Sequence, residues 1–387
     1  MLMTLPVQKE SRPVDELMLY LTEECNLRCH YCFVEKKPRH MQLETIHRVL
    51  EFFLRPSISG SLPQLSINFF GGEPFLKVDL MEALWEAWNR HPQRSLRSLQ
   101  LSATTNGTIV GPRVERLIKE AQMPILMSLD GDAQANQARP FVSGRPSHSL
   151  VCKNLDLFHQ WSPALTVRLT FHPDSFDLVR NVRFALELGA PWIVLAPVVE
   201  ADWRGKEQMV EERFQELAEW FISEIGRGKP PPLSLTWRAL RQWHQNAARG
   251  LRPQRPCPVG DRLLGIDPDG NVMPCHRFLY RKNYWLGNVS EPELCGSREP
   301  FQELHSSKIL GCDGCNARPI CGGGCRVVAL QSGGGLYGTQ PFHCLMTRAH
   351  ARAIEKIYHF LLARPGASSW LGQPLPEVSQ ALLEGSY

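Results

Sequence analysis

The sequence predicts an α/β protein in which a partial (β/α)6 TIM-like barrel is followed by a C-terminal cysteine-rich domain. Between residues 17 and 197, short apolar stretches alternate with helical stretches, which is the pattern of βαβ units and a parallel sheet. Polar residues follow several apolar stretches, as in barrels whose working residues lie at the C-terminal strand ends. After residue 256 the alternation ends, and eight cysteines occur before residue 345.

The predicted strands are short and mostly apolar: Leu17–Leu21, Leu65–Phe70, Ser98–Thr104, Pro124–Leu129, Leu165–Phe171 and Trp192–Pro197. Helical spacing of apolar residues predicts the helices between them: Leu43–Leu54, Val78–Trp88, Val114–Ala121, Leu150–Trp161 and Phe176–Leu188. Three further helices are predicted: Glu207–Ile225, Leu235–Ala248 and Thr347–Leu362. The predicted division is an N-terminal arm (1–14), the barrel (15–230), a helical linker (231–256), the cysteine-rich domain (257–350) and a C-terminal helix and tail (351–387).

Composition narrows the functional classes. A net charge of +4 over 387 residues does not favour a nucleic-acid or anionic-membrane partner. The start of the chain, Met1–Arg12, has no apolar run ahead of a cleavage site, and no apolar stretch is long enough to span a membrane. Twelve cysteines without a secretory signal indicate a reducing cytoplasm, with thiols that bind metal rather than form disulfides.

Three cysteines follow the first predicted strand with the spacing C-x3-C-x2-C: Cys25, Cys29 and Cys32. Three close thiolates can hold three irons of a cubane cluster and leave the fourth iron open for chemistry. The aromatic residues Tyr31 and Phe33 can shield such a cluster from water. The alternatives are a zinc site, with His30 inside the loop, or three unrelated buried thiols.

This cysteine motif, with its aromatic residue between the last two cysteines, resembles the radical S-adenosylmethionine (radical SAM) superfamily. The resemblance implies a [4Fe-4S] cluster that binds SAM through its amino and carboxylate groups. It also implies reductive cleavage of SAM to a 5′-deoxyadenosyl radical, which abstracts a substrate hydrogen, and an electron donor of the flavodoxin or ferredoxin type. The cofactor then performs the radical chemistry, and the protein positions the reacting groups and sets their electrostatic environment.

A second motif, Gly71–Gly72–Glu73–Pro74, follows the second predicted strand. Alone it predicts a turn in which the two glycines allow close approach to the backbone. About forty residues after the cysteines, it resembles the radical SAM motif that holds the amino group of SAM. The resemblance implies that Gly71, Gly72 and Glu73 contact the cofactor.

Four polar residues lie at or near the ends of later strands: Asn106, Ser128, Asp130 and Arg168. Two of them belong to ordinary turn pairs with glycine, and Arg168 can be a half-exposed strand residue. As a set they resemble SAM-contacting positions of the family. A guanidinium suits the carboxylate of SAM because its planar fork binds both oxygens.

The C-terminal domain contains eight cysteines: Cys257, Cys275, Cys295, Cys312, Cys315, Cys321, Cys325 and Cys344. Eight thiols can ligate two cubane clusters, and Gly322–Gly324 allows the backbone to wrap an inorganic core. A turn at Asp267–Gly270 predicts a hairpin that brings Cys257 toward Cys275. The alternative is a structural zinc domain. The one remaining cysteine of the twelve, Cys152, lies on a predicted helix away from the others.

The spacing of these cysteines resembles the SPASM domain of radical SAM maturases of peptides and proteins. The resemblance implies that auxiliary cluster I is held by Cys257, Cys275 and Cys325. It implies that auxiliary cluster II is held by Cys312, Cys315, Cys321 and Cys344, giving three [4Fe-4S] clusters in all. The stretch Pro258–Arg262 lacks the further cysteine that often completes cluster I. Either Cys295 serves, or one iron is open to substrate.

The resemblance implies a peptide or protein substrate but leaves the reaction open. In sulfatase maturases an acidic residue, a candidate base, usually follows the second SPASM cysteine, whereas this chain has His276. His276 is the predicted catalytic base, and its alternative role is a contact beside the cluster. The sequence around it looks more like maturases that crosslink ribosomal peptides through thioether or carbon–carbon bonds. The alternatives are a sulfatase-type formylglycine former and a non-catalytic metal-cluster scaffold.

Overall fold

The computed structural model describes residues 12–249 and 257–364, together with Leu371. It contains nine strands: β1 (Glu16–Thr22), β2 (Gln64–Gly71), β3 (Ser98–Thr105), β4 (Ile125–Ser128), β5 (Leu165–Phe171), β6 (Ile193–Pro197), β7 (Leu263–Ile266), β8 (Asn271–Met273) and β9 (Gly287–Asn288). The first six agree with the predicted strands to within one or two residues at each end. The other predictions for the N-terminal arm, the end of the linker and the tail lie largely outside the described residues.

All nine strands form one sheet in the order β6-β5-β4-β3-β2-β1-β7-β8-β9. The neighbours from β1 to β6 are all parallel, so their carboxyl ends meet at one edge. The order is linear within the described residues, as expected for a barrel that does not close. The predicted α/β class and partial barrel are confirmed.

The sheet continues into the C-terminal domain, which the sequence analysis did not predict. Strand β7 pairs in parallel with the side of β1 opposite β2, with Glu16 beside Leu263 and Leu19 beside Ile266. Strands β8 and β9 then add in antiparallel fashion. The predicted turn at Asp267–Gly270 joins β7 to β8. The first strand of the barrel therefore lies between both halves of the molecule.

The helices are α1 (Leu43–Leu54), α2 (Pro56–Ser59), α3 (Val78–Arg90), α4 (Pro112–Glu120), α5 (His148–Trp161), α6 (Leu178–Glu187), α7 (Glu207–Gly226), α8 (Ser234–Arg249), α9 (Glu299–Gln302), α10 (Arg326–Gln331) and α11 (Pro341–Leu362). Helix α1 shows why they form: Ile46, Val49, Leu50 and Phe53 are buried at helical spacing. Helix α11 begins six residues before its predicted start at Thr347, so it includes Cys344.

The apolar core is shared between the barrel and the C-terminal helix. Every residue of β1 is buried, as expected of a strand covered on both faces. Helix α11 packs along α7, where Lys356 pairs with Glu219 at 2.7 Å and Arg352 pairs with Glu211. In the part of the chain that the structure describes, no helix combines the length and the apolar character needed to cross a bilayer.

Candidate metal centres

The cysteine loop, residues 25–32, follows β1 at the carboxyl edge of the sheet. It is not a free loop, because it pairs with the segment between β4 and α5. The amide of Arg28 donates to Pro140 at 2.8 Å, and the amide of His30 donates to Ala138 at 2.9 Å. Leu27 and Phe141 form an antiparallel bridge. The backbone of the cysteine loop is thus fixed by protein contacts alone.

The glycine motif packs against the residues just before the first cysteine. The amide of Gly72 donates to Thr22 at 2.8 Å, and the amide of Glu73 donates to Glu24 at 2.9 Å. A Cβ atom at Gly72 would lie 1.8 Å from the carbonyl oxygen of Glu24, so only glycine fits there. The two motifs identified in the sequence therefore meet backbone to backbone.

The carboxylate of Glu73 is fully buried. It accepts hydrogen bonds from the amide of Phe75 at 3.1 Å, the hydroxyl of Thr105 at 2.9 Å and the amide of Asn106 at 2.7 Å. Burial raises its pKa to about 7, against the lowering effect of these three bonds. Both oxygens thus bind the protein and fasten the glycine motif to the end of β3.

Asn106, at the end of β3, lies beside the first cysteine. Its amide nitrogen donates to the side chain of Asn26 at 2.8 Å and approaches the sulfur of Cys25 at 3.6 Å. The Asn26 amide in turn donates to Thr108 at 2.7 Å. Asn106 therefore connects the strand end to the cysteine loop, and Asn26 and Thr108 are partners that the sequence analysis missed.

A buried polar group holds the other end of the cysteine loop. The hydroxyl of Tyr31 donates to Asp130 and accepts from Arg139 at 2.9 Å, and Arg139 lies 3.7 Å from Asp130. Burial raises the pKa of Asp130. Asp130 was predicted to contact a cofactor, and the structure places it against Tyr31. Arg139 was missed because it lies in a loop with no strand-end pattern around it.

Ser128 and Arg168, predicted on adjacent strands, are directly paired across β4 and β5. The Nε atom of Arg168 is buried and has no hydrogen-bond partner among the described residues. Burial lowers the pKa of Arg168, and Arg277 and Arg139 add to that effect. A partly buried guanidinium with an unused buried donor fits an anion such as the carboxylate of SAM.

Hydrogen-bond donors surround the sulfurs of the cysteine loop. The amide of Leu27 donates to Cys25 at 3.4 Å, and the ammonium of Lys36 lies 3.0 Å from the sulfur of Cys32. Burial, together with Cys32, Asp130 and Cys25 and against the opposing effect of Arg139, raises the pKa of Cys29 to about 11. Such donors tune the reduction potential of a bound cluster, so the loop fits one.

In the C-terminal domain the structure brings the cysteines together in two groups. The pKa of Cys275 is raised by burial and then by Cys257 and Cys325. Burial raises the pKa of Cys321 to about 11, with further contributions from Cys312, Cys344 and Cys315. The two groups have the same members as the two sets that the resemblance implied, and their role as cluster ligands stays a prediction.

Two neighbouring cavities are lined by cysteines of these groups, although Cys275 lines neither of them. The larger, of about 330 Å³, is lined by Cys257, Cys321 and Cys325 among others. The smaller is lined by all four cysteines of the second group. The glycine run Gly322–Gly324 lies between them, and a Cβ atom at Gly323 would come within 2.1 Å of Ile309. The thiols in both linings are donors suited to a polynuclear iron–sulfur cluster.

Two cysteines stay apart from these groups. Cys295 is exposed, and its thiol lies 3.5 Å from the carbonyl of Leu286. Cys152 lies on α5 beside His148 at 3.4 Å. Over residues 12–249 and 257–364, no three or more His, Cys, Asp or Glu side chains converge as the ligands of a single metal ion would.

His276 lies where the C-terminal domain covers the cysteine loop. Its ring lies 4.8 Å from Phe70 and 6.0 Å from Phe33, measured between centroids. The adjacent Arg277 places its guanidinium over Phe33 at 4.6 Å and pairs with Glu200. Burial, with Arg277 and Arg168, lowers the pKa of His276 to about 3. Its imidazole is a weak proton acceptor in this environment, and its role as a base stays a prediction.

Two known families match this chain. The radical SAM superfamily matches residues 19–178, and SPASM, an iron–sulfur cluster-binding domain, matches residues 257–316. Together the two matches cover more than half of the 387 residues. The first match contains the cysteine loop and the glycine motif, and the second contains Cys257, Cys275, Cys312 and Cys315 but ends before Cys321. These domains imply SAM and iron–sulfur clusters as cofactors.

Individual relatives agree with the family matches. The chain is 23% identical to the serine-type anaerobic sulfatase-maturating enzyme of Klebsiella aerogenes, over 96% of each protein. It is 25% identical to the PqqA peptide cyclase of Gluconobacter oxydans, over 92% of this chain and 96% of that protein. A 132-residue match at 30% identity to the uncharacterized protein MJ0907 of Methanocaldococcus jannaschii covers 34% of this chain and only 44% of that protein.

A solved structure shows the same fold. The structure of anSMEcpe with bound AdoMet matches with a TM-score of 0.72 and 18% sequence identity. The match covers 97% of this chain and 100% of that one. It therefore includes both the barrel and the C-terminal cysteine domain.

Proposed function

Since the chain belongs to the radical SAM superfamily and carries a SPASM domain, we propose that it is a maturase that oxidatively modifies a residue of a peptide or protein. The observation that carries this proposal is the contact between the two halves. His276 and Arg277, directly after Cys275, pack against Phe33, directly after Cys32, so a substrate bound beside this contact would be close to both the cysteine loop and the C-terminal cysteines. This is the position required for hydrogen removal at one centre and electron transfer to another.

We propose three [4Fe-4S] clusters, one on the cysteine loop and two auxiliary clusters on the two C-terminal groups. When bound, SAM and the first cluster supply hydrogen abstraction from the substrate. Ser128 and Arg168 bind the carboxylate of SAM, which accounts for the unused Nε donor of Arg168. Gly71 and Gly72 lie at the amino group of SAM in this proposal, and their missing side chains let the segment after β1 pack closely against them. Glu73 and Asn106 hold the surrounding loops. A flavodoxin- or ferredoxin-type protein supplies the electron.

The favoured reaction is a crosslink within a ribosomal peptide, such as a thioether or carbon–carbon bond. A relative that is a PqqA peptide cyclase supports a peptide substrate. The alternative is formylglycine formation, which the sulfatase-maturating relative supports. His276 stands where sulfatase maturases usually carry an acid, which weakens that alternative.

Metal analysis and SAM cleavage test the cofactor assignment. The anaerobically prepared full chain is expected to hold about twelve irons, since each cubane contains four. It should release 5′-deoxyadenosine from SAM under reducing conditions. Cys29→Ala should abolish that release, whereas the matched control Cys152→Ala, outside both cysteine groups, should retain it. Zinc in place of iron, or unchanged release from Cys29→Ala, would refute the assignment.

Product analysis separates the two reactions. A crosslink removes two hydrogens and creates no carbonyl, so a hydrazide probe should not label the product. Formylglycine is an aldehyde and is labelled whether it derives from cysteine or serine. Labelling of a modified peptide by the hydrazide would overturn the crosslink assignment in favour of the alternative.

A further inference from the structure

Arg326, the residue after Cys325, is the largest side chain that the fold buries completely. Its guanidinium donates to the carbonyls of Leu336 at 2.8 Å, Gly338 at 3.1 Å and Gly324 at 3.0 and 3.1 Å, and also to Gly323. These bonds fix the side chain in one position. Carbonyl groups carry no net charge, so they do not neutralise it.

The charge of Arg326 has no carboxylate partner among the residues that the structure describes. The groups that act most strongly on it are all cysteine thiols: Cys257, Cys325, Cys312 and Cys321. A fully buried arginine is rare unless it is paired, because an uncompensated charge is costly to remove from water. Among the described residues, the groups that can supply a negative charge to Arg326 are therefore these cysteines, which are thiolates when they bind a metal.

Arg298, in the same domain, provides a comparison. It is also buried and also donates to backbone carbonyls, including Gly260 at 3.1 Å and Arg12 at 2.7 Å. However, a carboxylate, that of Asp261, acts on its charge. The two arginines share a carbonyl-bonded geometry and differ in the anion beside them.

Arg326 also lies between the two cysteine groups. It holds Gly323, which lines the smaller cavity, and Gly324, which lines the larger one. Cys257 and Cys325 belong to the first group, and Cys312 and Cys321 belong to the second. One guanidinium thus acts on thiols of both sets.

We propose that Arg326 is the shared counter-charge of the two auxiliary clusters and raises their reduction potentials. The inference rests on the proposed function, because it requires iron–sulfur clusters on these cysteines. A cluster that accepts one electron from an external reductant gains one negative charge. A fixed cation beside it stabilises the reduced form more than the oxidised form. Arg326 is a positioning and tuning residue and does not contact the substrate.

The test is an anaerobic potentiometric titration of the loaded full chain, followed by electron paramagnetic resonance. The variants are Arg326→Gln, which removes the charge, Arg326→Lys, which retains it, and Arg298→Gln as the matched control. At the wild-type midpoint, Arg326→Gln should lower the ratio of reduced to oxidised auxiliary cluster at least about tenfold, equivalent to about 59 mV for one electron. Arg326→Lys should stay closer to wild type. Arg298→Gln and the SAM-binding cluster should not shift.

Each outcome decides a separate point. Loaded Arg326→Gln protein with unshifted midpoints would overturn the inference, as would an equal shift in Arg298→Gln. If Arg326→Gln does not take up iron while Arg326→Lys and Arg298→Gln do, the iron contents show that the auxiliary clusters need a positive charge at position 326. Equal loss of iron in all three variants would overturn it. Wild-type protein without iron on these cysteines would refute the proposed function itself.

Discussion

The cysteine loop and the C-terminal cysteine domain differ in what shapes them. The loop pairs with a neighbouring backbone segment and packs against the glycine motif through main-chain bonds. The C-terminal cysteines are linked by local turns, such as the amide of Cys315 to Cys312 at 3.3 Å and the amide of Cys321 to Ala317 at 3.0 Å. Protein contacts alone fix the first region, and we therefore expect the second to depend more on its cofactors for stability.

Two buried arginines show the same contrast. Burial opposes the charge of Arg139, but Tyr31, Cys29 and Asp130 outweigh it and raise its pKa. Burial lowers the pKa of Arg326, which has thiols but no carboxylate beside it. The loop carries its own counter-charge, and the C-terminal domain takes its counter-charge from what the thiols bind.

Removal of iron should have the largest effect on stability. It directly tests the difference between the cysteine loop and the C-terminal cysteine domain. Oxidation and chelation of iron from the loaded protein should leave Arg326 with an uncompensated charge, at a cost of about 3–5 kcal/mol. Amide hydrogen exchange should then rise strongly over residues 306–331 and much less over residues 25–32. Equal loss of protection in both segments would show that the cysteine loop is not preformed.

Gly72→Ala should disrupt the region that the protein itself shapes. The new Cβ atom would overlap the carbonyl of Glu24, and both are backbone-fixed, so we expect a loss of about 3 kcal/mol in the free energy of unfolding. Iron bound by the cysteine loop should fall with it. Gly226→Ala is the control, because its nearest new contact is the flexible Arg364 at 3.7 Å. Equal stability of the two variants would contradict the proposed fit.

The pH dependence of the free energy of unfolding should show the protonation of Glu73 in the folded state. Its folded pKa of about 7 lies above the ordinary value of 4.5, so the protonated form is favoured in the folded state. Glu73 therefore contributes its full stabilisation to the free energy of unfolding below pH 4.5. This stabilisation, about 3 kcal/mol, is lost as the pH rises to about 7. Denaturant unfolding of the loaded protein measures this change.

Glu73→Gln provides the reference for that measurement. The variant should lose this component of the pH dependence. It should also be less stable near pH 5, since its amide can present a donor to the amide of Asn106. An identical pH profile in both proteins would exclude Glu73 as the source.

Tyr31→Phe should remove the link between the cysteine loop and its buried counter-charge. The lost hydroxyl bonds to Asp130 and Arg139 predict a decrease of about 1.5–3 kcal/mol in stability. Tyr280→Phe is a matched control, because that exposed hydroxyl accepts one bond, from the amide of Glu35 at 2.9 Å. If both variants unfold at the same denaturant concentration, the buried group does not hold the loop.

Cys295→Ser should have the smallest effect. The residue is exposed and lies apart from both cysteine groups, so the iron content of the variant should equal that of wild type. Cys257→Ser should instead lose about four irons, those of auxiliary cluster I. Loss of iron in Cys295→Ser would assign that thiol as the fourth ligand.

Much of the barrel was predictable because its signals are local. Apolar runs and helical spacing located the elements, and the cysteine and glycine motifs depend on spacing alone. Ser128 and Arg168 were expected on adjacent strands, and β4 and β5 place them side by side.

The remainder depends on contacts between residues distant in the sequence. Nothing near Arg139 indicates that it meets Tyr31, 108 positions earlier. The pairing of β7 with β1 joins segments separated by more than 240 residues. The carboxylates of Glu73 and Asp130 matched a cofactor pattern by position, and only the packing shows that the protein uses their oxygens. The local spacing of the motifs predicted the type of site. The side chains that support the site are determined by contacts between distant parts of the sequence.

The position of β1 between β2 and β7 has a consequence for how the molecule can be divided. A fragment that ended before residue 257 would leave one side of β1 with unpaired amide and carbonyl groups in an apolar strand. An exposed strand edge of this kind can form hydrogen bonds with strands of other chains. We therefore expect the two halves to unfold together and the barrel alone to aggregate.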